Sequence, residues 1–182
     1  LTVMPGLALY MVVIETSFFE SYNRFYQNLL KHANLEQIKT NQQRLIRSLI
    51  GGFRNLFILQ GAVSLFFLLG ASQVYDALGI DFTHLTIFRF GVIGAFLQVM
   101  LMFVFVTLAY FDLRLMSVTL QGVFALLAGG LSYVTIQLGY PYYGLGPVFA
   151  AGLTFMVAFV FLARFLQTLP YQAFVRYNDS VS

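Results

Sequence analysis

The chain has 182 residues, of which 59% are hydrophobic and 9% are charged, and its formal net charge is +3 at pH 7. Soluble domains carry about 25% charged residues, so this composition excludes a water-soluble globular protein and indicates a membrane protein. The sequence contains no cysteine, which excludes disulfides and thiolate metal sites, and its scattered basic residues argue against a nucleic-acid-binding surface.

The first predicted element is apolar and lies at the very start of the chain. We interpret residues 1–14 as the last part of a transmembrane helix that begins before Leu1. Residues 15–50 are predicted to form a cytoplasmic helical elbow, in two parts. The first part places an aromatic stripe at helical spacing, either against the lipid headgroups or against another helix. The stripe includes Phe18, Tyr22, Phe25 and Tyr26, with Arg24 on the opposite side. The second part, from Asn34, is polar and basic.

Four apolar runs follow, each long enough to cross about 30 Å of hydrocarbon as a helix. They are residues 53–72, 85–110, 116–138 and 147–168, and residues 169–182 form a C-terminal tail. The elbow helix is expected to continue through Gly51 and Gly52 into the first of these spans. The predicted fold class is therefore all-α, a polytopic transmembrane helical bundle with a cytoplasmic amphipathic elbow.

The basic residues predict the orientation of the bundle. Nine of the ten lysines and arginines fall on one side of the predicted membrane, and only Arg89 does not. Because cytoplasmic loops are enriched in lysine and arginine, this side is assigned to the cytoplasm, together with the C-terminus. The tyrosines at positions 75, 140, 142 and 143 then form an aromatic belt at the outer surface.

Three polar residues inside the predicted spans are candidates for a substrate path: Arg89, Gln98 and Gln121. Polar side chains in a membrane span usually face a bundle interior or a wet cavity. Two simpler interpretations stay open. Arg89 could extend its guanidinium to the headgroups, and the glutamines, Gln60 and Gln137 included, could form hydrogen bonds between helices. The sequence shows no catalytic set, and we expect neither a cofactor nor a metal site.

The segments ETSFFESYNRFYQNLL, YFDLR and YYGLG, in this order and at these separations, resemble the C-terminal part of the PelG family of Pel exopolysaccharide transporters. That family is related to the superfamily of MATE exporters and lipid-linked oligosaccharide flippases. The resemblance implies export of a polysaccharide across the bacterial cytoplasmic membrane. It also implies partners, namely a cytosolic glycosyltransferase and a cyclic-di-GMP receptor subunit, and the aromatic stripe of the elbow is the expected docking surface.

The resulting hypothesis is a non-enzymatic membrane component of exopolysaccharide export, with Arg89, Gln98 and Gln121 lining a polar path. Two alternatives remain. The chain could be a scaffold that anchors a glycosyltransferase without transporting anything, or a flippase for a lipid-linked oligosaccharide.

Overall fold

The computed structural model describes residue 8, residues 35–79 and residues 84–177. Within these ranges the chain forms four long α-helices and one short 3-10 helix, and no β-strand. The long helices are α1, Leu35–Leu78; α2, Leu85–Tyr110; α3, Arg114–Leu138; and α4, Leu145–Tyr177, with the 3-10 helix at Tyr140–Tyr142. This architecture confirms the predicted all-α class. The aromatic stripe of the elbow lies outside the described residues.

All four helices are long and apolar enough to span a membrane. The segments that meet this description are Gln42–Gln73, Leu85–Tyr110, Arg114–Leu138 and Tyr140–Thr168. α1 continues without a break through Gly51 and Gly52, so the basic helix and the first span are one element of 44 residues. It ends only where Gly79 adopts a φ of 63°, a left-handed conformation that glycine reaches without strain.

α2 lies at the centre of the bundle and buries two of its sides. One side packs on α1, where Leu49 and Leu56 meet Val99 and Phe103. The other side packs on α3 and α4 through a second cluster of buried residues, consisting of Leu101, Val104, Leu108, Leu120, Ala158 and Leu162. α2 contacts every other helix, so only the part of its surface that these helices leave uncovered can contact a substrate.

The two ends of the bundle differ in chemistry. We call one the basic end, because it carries Arg44, Arg47, Arg114 and Arg164, and the other the tyrosine end, because it carries Tyr75, Tyr140, Tyr142 and Tyr143. At the basic end, α2 and α3 are joined by three residues. Phe111 in this turn is buried against Phe165 of α4, with ring centroids 5.4 Å apart, and this contact fixes the turn on the bundle.

A long-range hydrogen bond also ties α1 to α4 at the basic end. Pro170 lies inside α4 and has no backbone N–H, so the carbonyl of Leu166 lacks its usual helical donor. The side-chain Nε2 of Gln42 donates to this carbonyl at 2.7 Å. Gln42 is only 8% exposed, and the bond satisfies a carbonyl that the proline would otherwise leave unpaired.

Candidate functional site

The polar residues of the spans fall into two groups, buried and exposed. Besides Gln42, the buried group comprises five residues that lie between helices: Gln60, Ser64, Thr107, Ser117 and Thr154. Some of these side chains bond to backbone, as Thr107 does to the carbonyl of Phe103 at 2.8 Å. Ser64 Oγ and Thr154 Oγ1 have no hydrogen-bond partner in the part of the chain that the structure describes. All five are too buried to contact a substrate, so they serve the packing of the bundle.

Among the exposed residues, one stripe runs along α2, and we call it the open face. At 100° per residue, His84, Gly91, Gln98, Met102 and Ala109 fall within about 60° of one direction, and all five are exposed. Gln98 is the polar residue at the middle of this 26-residue helix. The open face therefore presents one uncharged amide halfway across the predicted span.

A chain of two hydrogen bonds links Gln121 of α3 through Ser117 to α2, beside the open face. Its Nε2 donates to Ser117 Oγ at 3.2 Å, and Ser117 Oγ donates to the carbonyl of Phe105 in α2 at 3.4 Å. Because α2 and α3 are antiparallel, Gln121 lies one turn from Ser117 towards the level of Met102. The structure thus places Gln98 and Gln121 on the same side of the bundle, with both side chains exposed.

Arg89 is not part of this group. It precedes Gln98 by nine residues, which is two and a half helical turns, so the two side chains leave α2 in opposite directions. Arg89 is exposed, and within residues 35–79 and 84–177 it forms no salt bridge. The three predicted path residues therefore do not form one cluster, although their roles in transport stay predictions.

A groove between α1 and α4 is a second candidate site, but its apolar lining makes it a poor site for a polar substrate. The groove has a volume of about 440 Å³ and lies nearer the basic end. Its walls include Leu49, Phe53, Phe103 and Phe159, and Gln167 is the polar residue that lines it. A surface of this kind has few groups that could hydrogen-bond a polar substrate, so the open face is the better candidate.

The remaining predictions about sites concern residues that the structure leaves untested. The expected docking residues Phe18, Tyr22, Arg24, Phe25 and Tyr26 lie outside the described ranges. Among the described residues, no three histidine, aspartate or glutamate side chains are grouped so that they could hold a metal ion.

Comparison with known proteins identifies the family. A model of the family described as "PelG: Putative exopolysaccharide Exporter (EPS-E)" matches residues 1–174, which is all but the last eight residues. No curated protein and no solved structure matches the chain significantly. The match confirms a transporter-type, non-enzymatic, multi-pass membrane protein with a role in polysaccharide export. The relation to MATE exporters and oligosaccharide flippases stays a prediction. The chain belongs to the PelG family of exopolysaccharide exporters.

Proposed function

We propose that this chain translocates polysaccharide across the bacterial cytoplasmic membrane, and that the open face of α2, together with Gln121, forms one wall of the path. The observation that supports this proposal is the exposed amide of Gln98 in the middle of an apolar span. An amide that faces hydrocarbon without a hydrogen-bond partner is costly, so a wet path is a more favourable environment for it than lipid.

The chemistry of the two amides suits a moving polysaccharide. A neutral amide both donates and accepts hydrogen bonds, and each such bond to a sugar hydroxyl contributes only about 1 kcal/mol after competition with water. A conduit needs sites that are weak enough to release the chain at each step. Gln98 and Gln121 meet this requirement because neither carries a charge that would hold the polymer in place.

Arg89 is assigned a different role in this proposal. Its position near the tyrosine end, on the side of α2 opposite to Gln98, lets the long side chain extend its guanidinium to the headgroups and the water beyond. We therefore treat Arg89 as an interfacial residue rather than as a second wall of the path.

Replacing Gln98 with leucine is the direct test. We expect the Gln98→Leu variant of the full-length protein to secrete about fivefold less polymer, which corresponds to the loss of one hydrogen bond of about 1 kcal/mol. Gln121→Leu should reduce secretion in the same direction. The measurement is secreted polysaccharide per cell, normalised to the amount of exporter in the membrane by immunoblot.

The matched control is Gln137→Leu, the same substitution at an exposed glutamine of α3 near the tyrosine end, outside the open face. It should leave secretion unchanged. Normal secretion by Gln98→Leu, at a normal membrane level, would remove the open face from the path. The scaffold alternative would then gain support if polar substitutions in the elbow stripe abolished co-purification of the synthase.

The family resemblance supports the proposed partners, a cytosolic glycosyltransferase and a cyclic-di-GMP receptor subunit. We place their docking surface on the elbow stripe, since that stripe directly precedes α1, whose N-terminal half belongs to the basic end. This assignment requires the basic end to face the cytoplasm, as the distribution of arginine and lysine indicates.

Cysteine labelling tests that orientation, and it benefits from a chain without native cysteines. We expect Tyr142→Cys, at the tyrosine end, to react with a membrane-impermeant maleimide added to cells whose outer barrier has been permeabilised. Thr168→Cys, at the basic end, should react only after the cytoplasmic membrane is broken. Both positions are exposed. The opposite labelling pattern would invert the proposed topology.

A further inference from the structure

Where the open face reaches the tyrosine end, three rings are clustered. Tyr140 and Tyr143 have ring centroids 5.4 Å apart, and the His84 ring meets Tyr140 edge-on at 5.9 Å. The hydroxyl of Tyr140 forms a hydrogen bond with His84 Nδ1. This bond joins the turn before α4 to the start of α2, across 56 residues of chain.

The turn that carries the two tyrosines is held in one conformation. Gly139 and Gly144 flank it with φ angles of 102° and 91°, in a region that residues with a side chain rarely adopt. Gly144 also packs closely on α2, because a Cβ atom there would lie 3.2 Å from the Cβ of Phe90. This packing of Gly144 and the bond between Tyr140 and His84 hold the turn against the start of α2.

The cluster continues the open face. His84 is the first residue of that stripe, and Gln98 follows it fourteen residues later, after nearly four full turns of helix. A chain that moves along the open face towards the tyrosine end would therefore meet Tyr140 and Tyr143 as it leaves the bilayer. These side chains are partly exposed, with Tyr140 at 36%.

We propose that His84, Tyr140 and Tyr143 form a carbohydrate-binding platform on which the exported polysaccharide docks as it leaves the membrane. Sugar rings present apolar C–H faces that pack on aromatic rings, while their hydroxyls hydrogen-bond to phenol and imidazole groups at the ring edges. The platform rests on the proposed function, since it assumes that the open face is the path.

Tyrosines at a membrane surface often serve only as interfacial anchors, and the structure contains two that fit this description. Tyr133 and Tyr142 are 66% and 47% exposed, and neither ring stacks on another within the described part of the chain. Tyr140 differs from both, because its hydroxyl is bonded to a histidine and its ring lies against a second tyrosine. Tyr133 and Tyr142 therefore provide matched controls for the platform.

The test is binding of short oligosaccharides, cut from the polymer that the producing strain secretes, to the full-length protein in lipid nanodiscs. We expect the double variant Tyr140→Ala, Tyr143→Ala to raise the Kd about tenfold, the scale of a binding hot spot. Tyr142→Ala, in the same turn, and Tyr133→Ala should change it less than twofold. Tyr140→Phe keeps the ring but loses the bond to His84, so it should raise the Kd by less than the double variant does.

Three results would overturn the platform: no binding by the unaltered protein, unchanged binding by the double variant, or an equal loss with Tyr133→Ala. Secretion by Gln98→Leu, measured in parallel, separates this proposal from the path itself. If the double variant loses oligosaccharide binding while Gln98→Leu secretes normally, the platform stands and only the proposed path is wrong. If the double variant binds oligosaccharide normally while Gln98→Leu secretes less polymer, the path stands and only the platform is wrong.

Discussion

Replacing Gly146 with valine is expected to prevent the bundle from assembling. A Cβ atom at this position would lie 2.5 Å from the backbone N of Ser132 and 2.7 Å from the carbonyl carbon of Leu131. These are backbone atoms of α3, so no side chain can rotate away and the two helices would have to separate. Even Gly146→Ala should lower the free energy of unfolding by about 3 kcal/mol or more, at the upper end of overpacking effects. The measurement is exporter level in the membrane and thermal stability in detergent.

Gly130→Ala is the control for this prediction. Gly130 lies in α3, and a Cβ atom there would meet nothing within 4 Å. Since alanine favours a helix over glycine by about 1 kcal/mol, this variant should be as stable as the original or slightly more so. Equal stability of Gly146→Ala and Gly130→Ala would show that α3 and α4 do not approach each other as closely as described.

Replacing Phe53 with alanine should cause the second-largest loss of stability. The Phe53 ring of α1 lies among rings of two other helices, with centroid distances of 5.6 Å to Phe103 of α2, and 6.2 Å to Phe155 and 5.7 Å to Phe159 of α4. Removing it deletes one contact that α1 makes with both α2 and α4. Loss of a large packed side chain and its ring contacts predicts a decrease of about 3 kcal/mol, measured as a lower Tm in detergent.

Phe66→Ala removes the same side chain elsewhere on α1. Phe66 is 73% exposed, and its ring lies 5.7 Å from the ring of its neighbour Phe67. It should shift the Tm by much less than Phe53→Ala. A second comparison, Phe53→Leu, keeps most of the volume and should fall between the two. If Phe53→Ala and Phe66→Ala have the same Tm, lipid must fill the space left by the Phe53 ring as well as the ring itself does.

Hydropathy predicts which residues of a helix lie in hydrocarbon. It does not predict the residue at which the helix ends. α2 runs from Leu85 to Tyr110, the length of the apolar run, and the turn at residues 111–113 lies directly beside its C-terminal end. In α1 the predicted span ended at Ser72, yet the helix continues to Leu78. Nothing between these residues breaks a helix, and the sequence only signals a stop at Gly79. The intervening residues are helical but too polar for a hydropathy count to include them.

The candidate site was predictable in part. Composition identifies Gln98 and Gln121 as unusual residues, and helical periodicity alone separates Arg89 from Gln98. Which side of α2 stays open was not predictable, because α2 is apolar on every side and its pattern indicates no preferred face. The neighbours decide this, since Val99 and Phe103 are covered by α1 while Leu101 and Leu108 are covered by α3 and α4.

The bond between Gln42 and Leu166 could not be predicted for a related reason. The two residues are 124 positions apart, and only the packed bundle brings them together. The proline that frees the Leu166 carbonyl is visible in the sequence, but no rule of local structure indicates which donor will replace the missing N–H.

The length of α1 has a mechanical consequence. Its 44 residues form a rod about 66 Å long, roughly twice the thickness of the hydrocarbon layer. A rod that is held near its middle acts as a lever, so a tilt of about 10° displaces each tip by about 6 Å. The amide of Gln42 clamps this rod to α4 close to the basic tip. A force that a bound protein applies at this tip would thus tilt α1 and α4 together. The same tilt would displace the opposite tip of α1, on the other side of the bilayer.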